Sequence, residues 1–124
     1  MEYSDIILEK QNSVATLRLN RPDALNALSP ELLEEFLAAT RQVAEDQEMK
    51  ALVIRGEGRA FCAGADLNAF KDAMEESKRL GRVTESINPA LVDNFAVRLA
   101  ETSTPIIVAI NGPAIGFGLT LSIA

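Results

Sequence analysis

The sequence contains no histidine and one cysteine, Cys62. Without an imidazole, a histidine-based triad, a histidine-ligated zinc centre and a histidine general base are all excluded within these 124 residues. A lone cysteine closes no intrachain disulfide, which fits a reducing compartment. Basic residues are also few: 12 Lys and Arg stand against 18 Asp and Glu, for a net charge of −6. A general nucleic-acid or anionic-membrane binder would show the opposite balance. An anionic small ligand stays compatible, because one arginine or a nest of backbone N–H groups can act against the overall sign. No apolar run approaches the roughly 18 residues of a membrane span, and Met1-Glu2-Tyr3-Ser4-Asp5 lacks a basic-then-apolar signal pattern. The expectation is a soluble, cytoplasmic protein with no nucleic-acid and no membrane partner.

What is present is ordinary globular composition, 48% hydrophobic and 24% charged, without repeats or low-complexity runs. The length suits one domain that buries roughly two thirds of its unfolded surface. Ile6–Lys10 and Val14–Leu19 are short apolar runs around Gln11-Asn12-Ser13, and Ala15, Leu17 and Leu19 alternate with Val14, Thr16 and Arg18. This predicts a hairpin. Asn20-Arg21-Pro22-Asp23 breaks it with turn residues. Ser29-Pro30-Glu31 is a helix start, and Leu32, Leu33, Phe36, Leu37, Thr40 and Val43 recur at helical spacing, predicting a helix over 30–44. The Glu31, Glu34 and Glu35 cluster reads as its solvated face. A strand at 51–55 then completes a right-handed βαβ crossover. Leu67 to Met74 suits a short helix, Glu75 to Asn88 a mobile segment or lid, and 89–102 a second helix buried through Leu91, Val92, Phe95, Leu99 and Ala96. Ile106–Ile110 is continuously apolar, as in a strand covered on both faces.

Two stretches carry chemistry. Arg59-Ala60-Phe61-Cys62-Ala63-Gly64-Ala65-Asp66-Leu67 follows the strand at 51–55, and Asn111-Gly112-Pro113-Ala114-Ile115-Gly116-Phe117-Gly118 follows the one at 106–110. In each, small residues lie between an apolar strand and a helix, so backbone N–H groups without intrahelical partners are open to a ligand oxygen. A tight turn that needs small residues only for packing has the same look. Parallel strands put both turns at one edge of the sheet, where two N–H sets converge, as stabilising a carbonyl that becomes an enolate requires. Neither stretch is a nucleotide fingerprint: the spacing Gly112-x-x-x-Gly116-x-Gly118 is wrong for a dinucleotide loop, and no Gly-Lys-Ser/Thr occurs. Asp66 reads as the cap of the helix it opens, and Cys62, in an apolar setting without a histidine, as a small core residue.

Arg21-Pro22-Asp23-Ala24-Leu25-Asn26-Ala27-Leu28, Arg59–Leu67 and Asn111–Gly118, in that order and spacing, resemble the crotonase, or enoyl-CoA hydratase/isomerase, family. The resemblance spans essentially the whole chain. It implies an α/β fold, a spiral of ββα units truncated here at the C-terminal side, within a single acyl-CoA-binding domain that forms homotrimers or hexamers. It also implies a coenzyme A thioester as substrate and no separate cofactor or metal. By the same resemblance, the Ala65 and Phe117 amides form the oxyanion hole. The turns place Ala63, Gly64, Asp66, Leu67 and Gly116 around the thioester, with the Phe117 ring shaping the acyl pocket. The Ala24-Leu25 backbone lies against the adenine, and Arg59 meets the phosphates. The lysine usual after the Asp66-Leu67 pair is Asn68.

Thr120 stands where hydratases of the family carry one of two glutamates, and a threonine hydroxyl is no general base near neutral pH. The run Pro113–Leu121 is more similar to the Δ3-Δ2-enoyl-CoA isomerase branch, in which one downstream glutamate shuttles the proton. That glutamate would fall past Ala124. The expectation is therefore the N-terminal half of an isomerase, with a hydratase or a non-catalytic acyl-CoA binder as the alternatives. A peroxisomal or mitochondrial location stays open.

Overall fold

The structure is a computed structural model that describes residues 2–81, 97 and 99–123. Strands β1 (Ile6–Gln11) and β2 (Val14–Leu19) pair antiparallel with Gln11 opposite Val14. The two residues between them, Asn12 and Ser13, have φ of 49° and 67°. A two-residue turn with both centres left-handed has the twist that matches the twist of the strands. Ala15, Leu17 and Leu19 are fully buried, as the alternation requires.

Helix α1 (Pro30–Glu45) begins at Ser29, whose hydroxyl accepts the Leu32 N–H at 3.1 Å, with proline at the first helical position. Its buried stripe is Leu32, Leu33, Phe36, Ala39, Thr40 and Val43. The helix leads back to β3 (Ala51–Gly56), which lies parallel to β2 with Ala15 opposite Leu52 and Leu17 opposite Ile54. The apolar core between α1 and the sheet therefore has Phe36, Leu17, Leu19, Leu52 and Ile54 at its centre, all essentially inaccessible to solvent. Strand β4 (Ile106–Val108) extends the sheet on the far side of β3, again parallel, giving the order β1-β2-β3-β4.

Three expectations change. Among the described residues the apolar run at 106–110 is not covered on both faces: no strand pairs beyond β4, and Ile107 and Ile110 are more than half exposed. Its pairing ends because, after a last ladder bond from the Ala109 N–H to the Ile54 carbonyl, the Asn111 side chain takes the next donor, the Gly56 N–H, at 2.9 Å. The segment read as a lid from Glu75 is helical at its start, since α2 runs from Leu67 to Arg79. That helix shelters only a narrow stripe, with Ser77 buried and Ala69, Phe70 and Ala73 half-buried in line with it, and leans on its caps and helix-favouring residues for the rest. Residues 82–88 of the expected lid and most of the helix expected at 89–102 lie outside the described residues. At that helix's end Leu99 is buried in the core.

The third change concerns Glu35, read as part of a solvated face. Its carboxylate accepts the Ser4 N–H and hydroxyl and the Asp5 N–H at 2.8–2.9 Å, pinning the chain ahead of β1 onto α1. Burial pushes this carboxyl up, but the backbone N–H groups outweigh it and hold its pKa below the ordinary 4.5. Asp5 is raised, first by its own burial and then by the Glu35 charge. A depressed carboxylate contributes stability above its unfolded pKa and loses it as pH falls through the folded one, and a raised one works in the opposite sense. Glu35→Gln is expected to cost about 1–2 kcal/mol near neutral pH, the worth of charge-assisted bonds at a partly exposed site. Thermal melts of the full-length protein should show that gap closing as the pH is taken well below the ordinary 4.5. An equal gap at both pH values would refute this role.

Candidate active site

Residues 61–66 run as a narrow strip between two neighbours. On one side the Phe61 and Cys62 N–H groups donate to the Pro113 carbonyl at 3.1 and 3.2 Å, and the Ile115 N–H donates to the Cys62 carbonyl at 3.0 Å. On the other, the Ala63 N–H donates to the Leu25 carbonyl at 3.0 Å, the Leu28 N–H to the Gly64 carbonyl at 2.7 Å, and the Asp66 N–H to the Leu28 carbonyl at 2.8 Å. All three motif regions are thus stitched together by backbone. In the parallel bridge between Leu28 and Ala65, the bonds are made by the residues flanking Ala65. The Ala65 N–H consequently points away from Leu28, to the edge of the strip along which residues 113–115 run.

The turn glycines set how closely the two sites approach. Gly64 has φ of 100° and Gly116 of 55°, both left-handed and open to glycine at no steric cost. A Cβ on Gly64 would lie 3.1 Å from the Ile115 carbonyl oxygen and 4.0 Å from the Phe117 nitrogen, and one on Gly116 would lie 4.0 Å from the Gly64 Cα. The Phe117 nitrogen therefore lies close to Gly64, the residue before Ala65, across a bare backbone contact. Gly64 is buried, Ala63 half-buried, and Ala65 and Gly116 exposed, so the opening is lined by main chain. The Phe117 ring is half-buried and packs against the core, not solely toward an acyl pocket. Phe117 opens α3 (Phe117–Ile123). One turn on, the exposed Thr120 hydroxyl donates back to the Gly116 carbonyl at 3.4 Å, which occupies its proton locally.

Side chains hold this frame. Asp66 caps α2 by accepting the Ala69 N–H at 3.1 Å, and its second oxygen accepts Arg21 Nη2 at 3.0 Å. The Ala69 N–H first, then the Arg21 guanidinium, keep its carboxyl below the usual carboxylate range. Asp66 is thus a cap with an ion-pair partner, and both its oxygens are engaged. Ala24 ends a short 3-10 turn (Pro22–Ala24), and Leu25 and Asn26 follow with φ of 53° and 55°. Two consecutive left-handed non-glycine residues persist because Asn26 is locked. Its fully buried amide accepts the Arg21 N–H at 2.8 Å and donates to the Glu57 and Ala60 carbonyls at 2.9 and 3.0 Å. Asn111 donates to the same Ala60 carbonyl and to Gly58 at 3.1 Å. The two asparagines fix the loop that carries the exposed Arg59.

The expected residues Ala63, Gly64, Ala65, Asp66, Gly116 and Phe117 are brought together, with the Leu25 carbonyl bonded to the strip's other side and Ala24 next to it, bonded only within its own turn. Leu67 is largely exposed at the start of α2. Cys62 is fully buried and burial pushes its thiol up, which suits packing and not nucleophilic attack. Arg21, Asn26 and Asn111 had no assigned role in the sequence reading. The available signal was a polar amide inside otherwise apolar or turn-forming segments. Among the described residues no group of three or more His, Cys, Asp or Glu side chains could hold a metal, and no helix is long and apolar enough to cross a membrane.

At Gly118 a Cβ would sit 2.3 Å from the Cys62 carbonyl oxygen. Backbone cannot yield as a flexible side chain does. Gly118→Ala is therefore expected to destabilise the full-length protein by about 3 kcal/mol or more, or to prevent folding, against about 1–2 kcal/mol for Gly81→Ala, the cost of a left-handed backbone alone. Position 81, although left-handed, has no atom within 4 Å of a new Cβ. Denaturant melts of the two variants check this, and equal losses would contradict it.

The sequence pattern of the enoyl-CoA hydratase/isomerase family matches residues 9–124. A probable enoyl-CoA hydratase of Mycobacterium tuberculosis, EchA14, is 34% identical over 123 residues, covering 99% of this chain and 45% of the relative. The 1,2-epoxyphenylacetyl-CoA isomerase of Escherichia coli is 37% identical over 124 residues, with coverages of 99% and 45%. The crystal structure of an enoyl-CoA hydratase from Bacillus anthracis superposes with a TM-score of 0.80 at 31% identity, over 97% of this chain and 45% of that one. The chain spans about half the length of the curated relatives it matches. With the two glycine turns in contact and the match running through both, the chain belongs to the crotonase, or enoyl-CoA hydratase/isomerase, family.

Proposed function

We propose that the protein to which these residues belong shifts the double bond of a 3-enoyl-CoA to the 2-position through a thioester enolate. The observation that carries this reading is the contact between the Gly64–Ala65 and Gly116–Phe117 turns beside Thr120, a position with no carboxylate. The Ala65 and Phe117 N–H groups donate to the thioester oxygen, most strongly when it bears the enolate charge. Backbone donors fixed in advance need no reorganisation at that moment. A carboxylate outside residues 1–124 takes the C2 proton, the electron pair passes into the thioester carbonyl, and the same proton returns at C4. Atoms and charge balance with no other reactant. Arg59 offers its charge to the coenzyme A phosphates, and the Ala24–Leu25 backbone meets the adenine. The functional unit is a homotrimer or hexamer. An isomerase among the similar proteins is compatible with this reading. Hydration of a 2-enoyl-CoA is the second reading, favoured by relatives named as hydratases. It would need carboxylates elsewhere to handle the water.

The test uses the full-length protein with 3-hexenoyl-CoA and 2-hexenoyl-CoA side by side. Conversion of the first with negligible hydration of the second is expected, and hydration at a comparable rate would replace this reading with the hydratase. Phe117→Pro removes one proposed donor at the first helical position, where proline is tolerated. Its kcat should drop by about 10²–10³, the usual cost of losing one oxyanion donor. Phe117→Ala keeps the N–H and should stay within about tenfold of the native enzyme. Equal losses in the two variants would remove Phe117 from this role.

A further inference from the structure

A single guanidinium joins the turn at 22–28 to the turn that carries Ala65. Arg21 donates from Nη1 to the Ala27 carbonyl and from Nη2 to Asp66 at 3.0 Å, and the Arg21 and Asp66 side chains are each 21% exposed. Asp66 uses its other oxygen to start α2. Between these anchors the backbones are zipped through Leu28, with Ala65 enclosed by the bonded residues on either side. A planar fork holding a carbonyl and a carboxylate fixes the angle between them, which a lysine, as a point charge on a flexible stem, does not. The segment at the other end is stiff. Leu25 and Asn26 are left-handed and held by the buried Asn26 amide, so a load applied there is transmitted and not absorbed.

We propose that Arg21 and Asp66 are positioning residues that couple the Ala24–Leu25 segment to the Ala65 amide. Binding energy gathered at the nucleotide end of a coenzyme A thioester then reaches the reacting carbonyl as a correctly aimed N–H. Contacts remote from the chemistry raise kcat only when something carries them to the reacting atoms, and this brace is a direct path between the two turns. The inference rests on the acyl-CoA reading above.

Asp66→Asn and Arg21→Lys in the full-length protein test it. Asparagine caps helices as well as aspartate does, so the first variant keeps the start of α2 and removes the charge the fork holds. The second keeps a positive charge and loses the fork. Each is assayed with a 3-enoyl-CoA and with the N-acetylcysteamine thioester of the same acyl group, which lacks the nucleotide. The ratio of kcat on the full substrate to kcat on the truncated one should fall about tenfold in each variant, with the double variant no worse than either. A ratio unchanged from the native enzyme, or an effect confined to KM, overturns the brace. A second readout needs no turnover: coenzyme A alone should slow hydrogen exchange at the Ala65 amide in the native protein and much less in Asp66→Asn. No slowing in the native protein also overturns the brace. Slowing that Asp66→Asn abolishes, in a protein that converts no thioester, supports the brace and removes the isomerase reading beneath it.

Discussion

Between Cys62 and Gly118 there is room for backbone and nothing more, and the same holds where Gly112 passes the Arg59 carbonyl. These approaches bring the second turn against the strip at 61–66, which then receives hydrogen bonds from both sides. A segment bonded along both edges has little freedom to relax, so left-handed backbone at Leu25, Asn26, Gly64 and Gly116 can persist together. If the glycines at 112 and 118 bore side chains, the turns would separate and the Ala65 and Phe117 amides would lose their common side. The geometry of the candidate site is thus set by side chains missing at two positions.

A sheet that ends at an active edge must find partners for the backbone groups it strands. Here two asparagine side chains supply them. Asn111 accepts the Gly56 N–H where β4 has stopped pairing, and Asn111 and Asn26 both donate to the Ala60 carbonyl, which has two lone pairs to offer. The chain can leave β3, turn through 57–60 and enter the strip without leaving a buried carbonyl unpaired. Arg18 is the contrast: its guanidinium binds Glu9 and Glu57 through the two terminal nitrogens, while its buried Nε has no hydrogen-bond partner.

Legibility in the sequence followed the range of the cause. The hairpin and α1 were readable because alternation, helical spacing, Ser29 and Pro30 are local signals, and the structure keeps their bounds to within a residue or so. The turns were readable because small residues after an apolar strand are a local pattern too. Glu35 was not, because its partners lie thirty residues away and nothing near it marks it as different from Glu31 or Glu34. The Arg21–Asp66 pair, 45 residues apart, was hidden for the same reason. Continuous hydrophobicity at 106–110 reported only that these side chains are apolar, and the sheet order decides what covers them. The extra turn of α2 escaped because the sheltered stripe of Ala69, Phe70 and Ala73 continues there only through the polar Ser77, so no apolar residue marks the period beyond Met74.

Family membership leaves the reaction open for a physical reason. The donors proposed to act on the thioester are main-chain groups, and a main-chain group is indifferent to the side chain on its residue: a phenylalanine at 117 offers the same N–H as a glycine. A scaffold of this kind holds an enolate equally well for proton transfer, hydration or any other chemistry that passes through one. Selectivity must then come from side chains that deliver or withhold a proton. Within residues 1–124 the telling one is Thr120, whose hydroxyl is turned onto the Gly116 carbonyl. A hydroxyl spent on backbone neither takes a proton near neutral pH nor orients an attacking water as a carboxylate would.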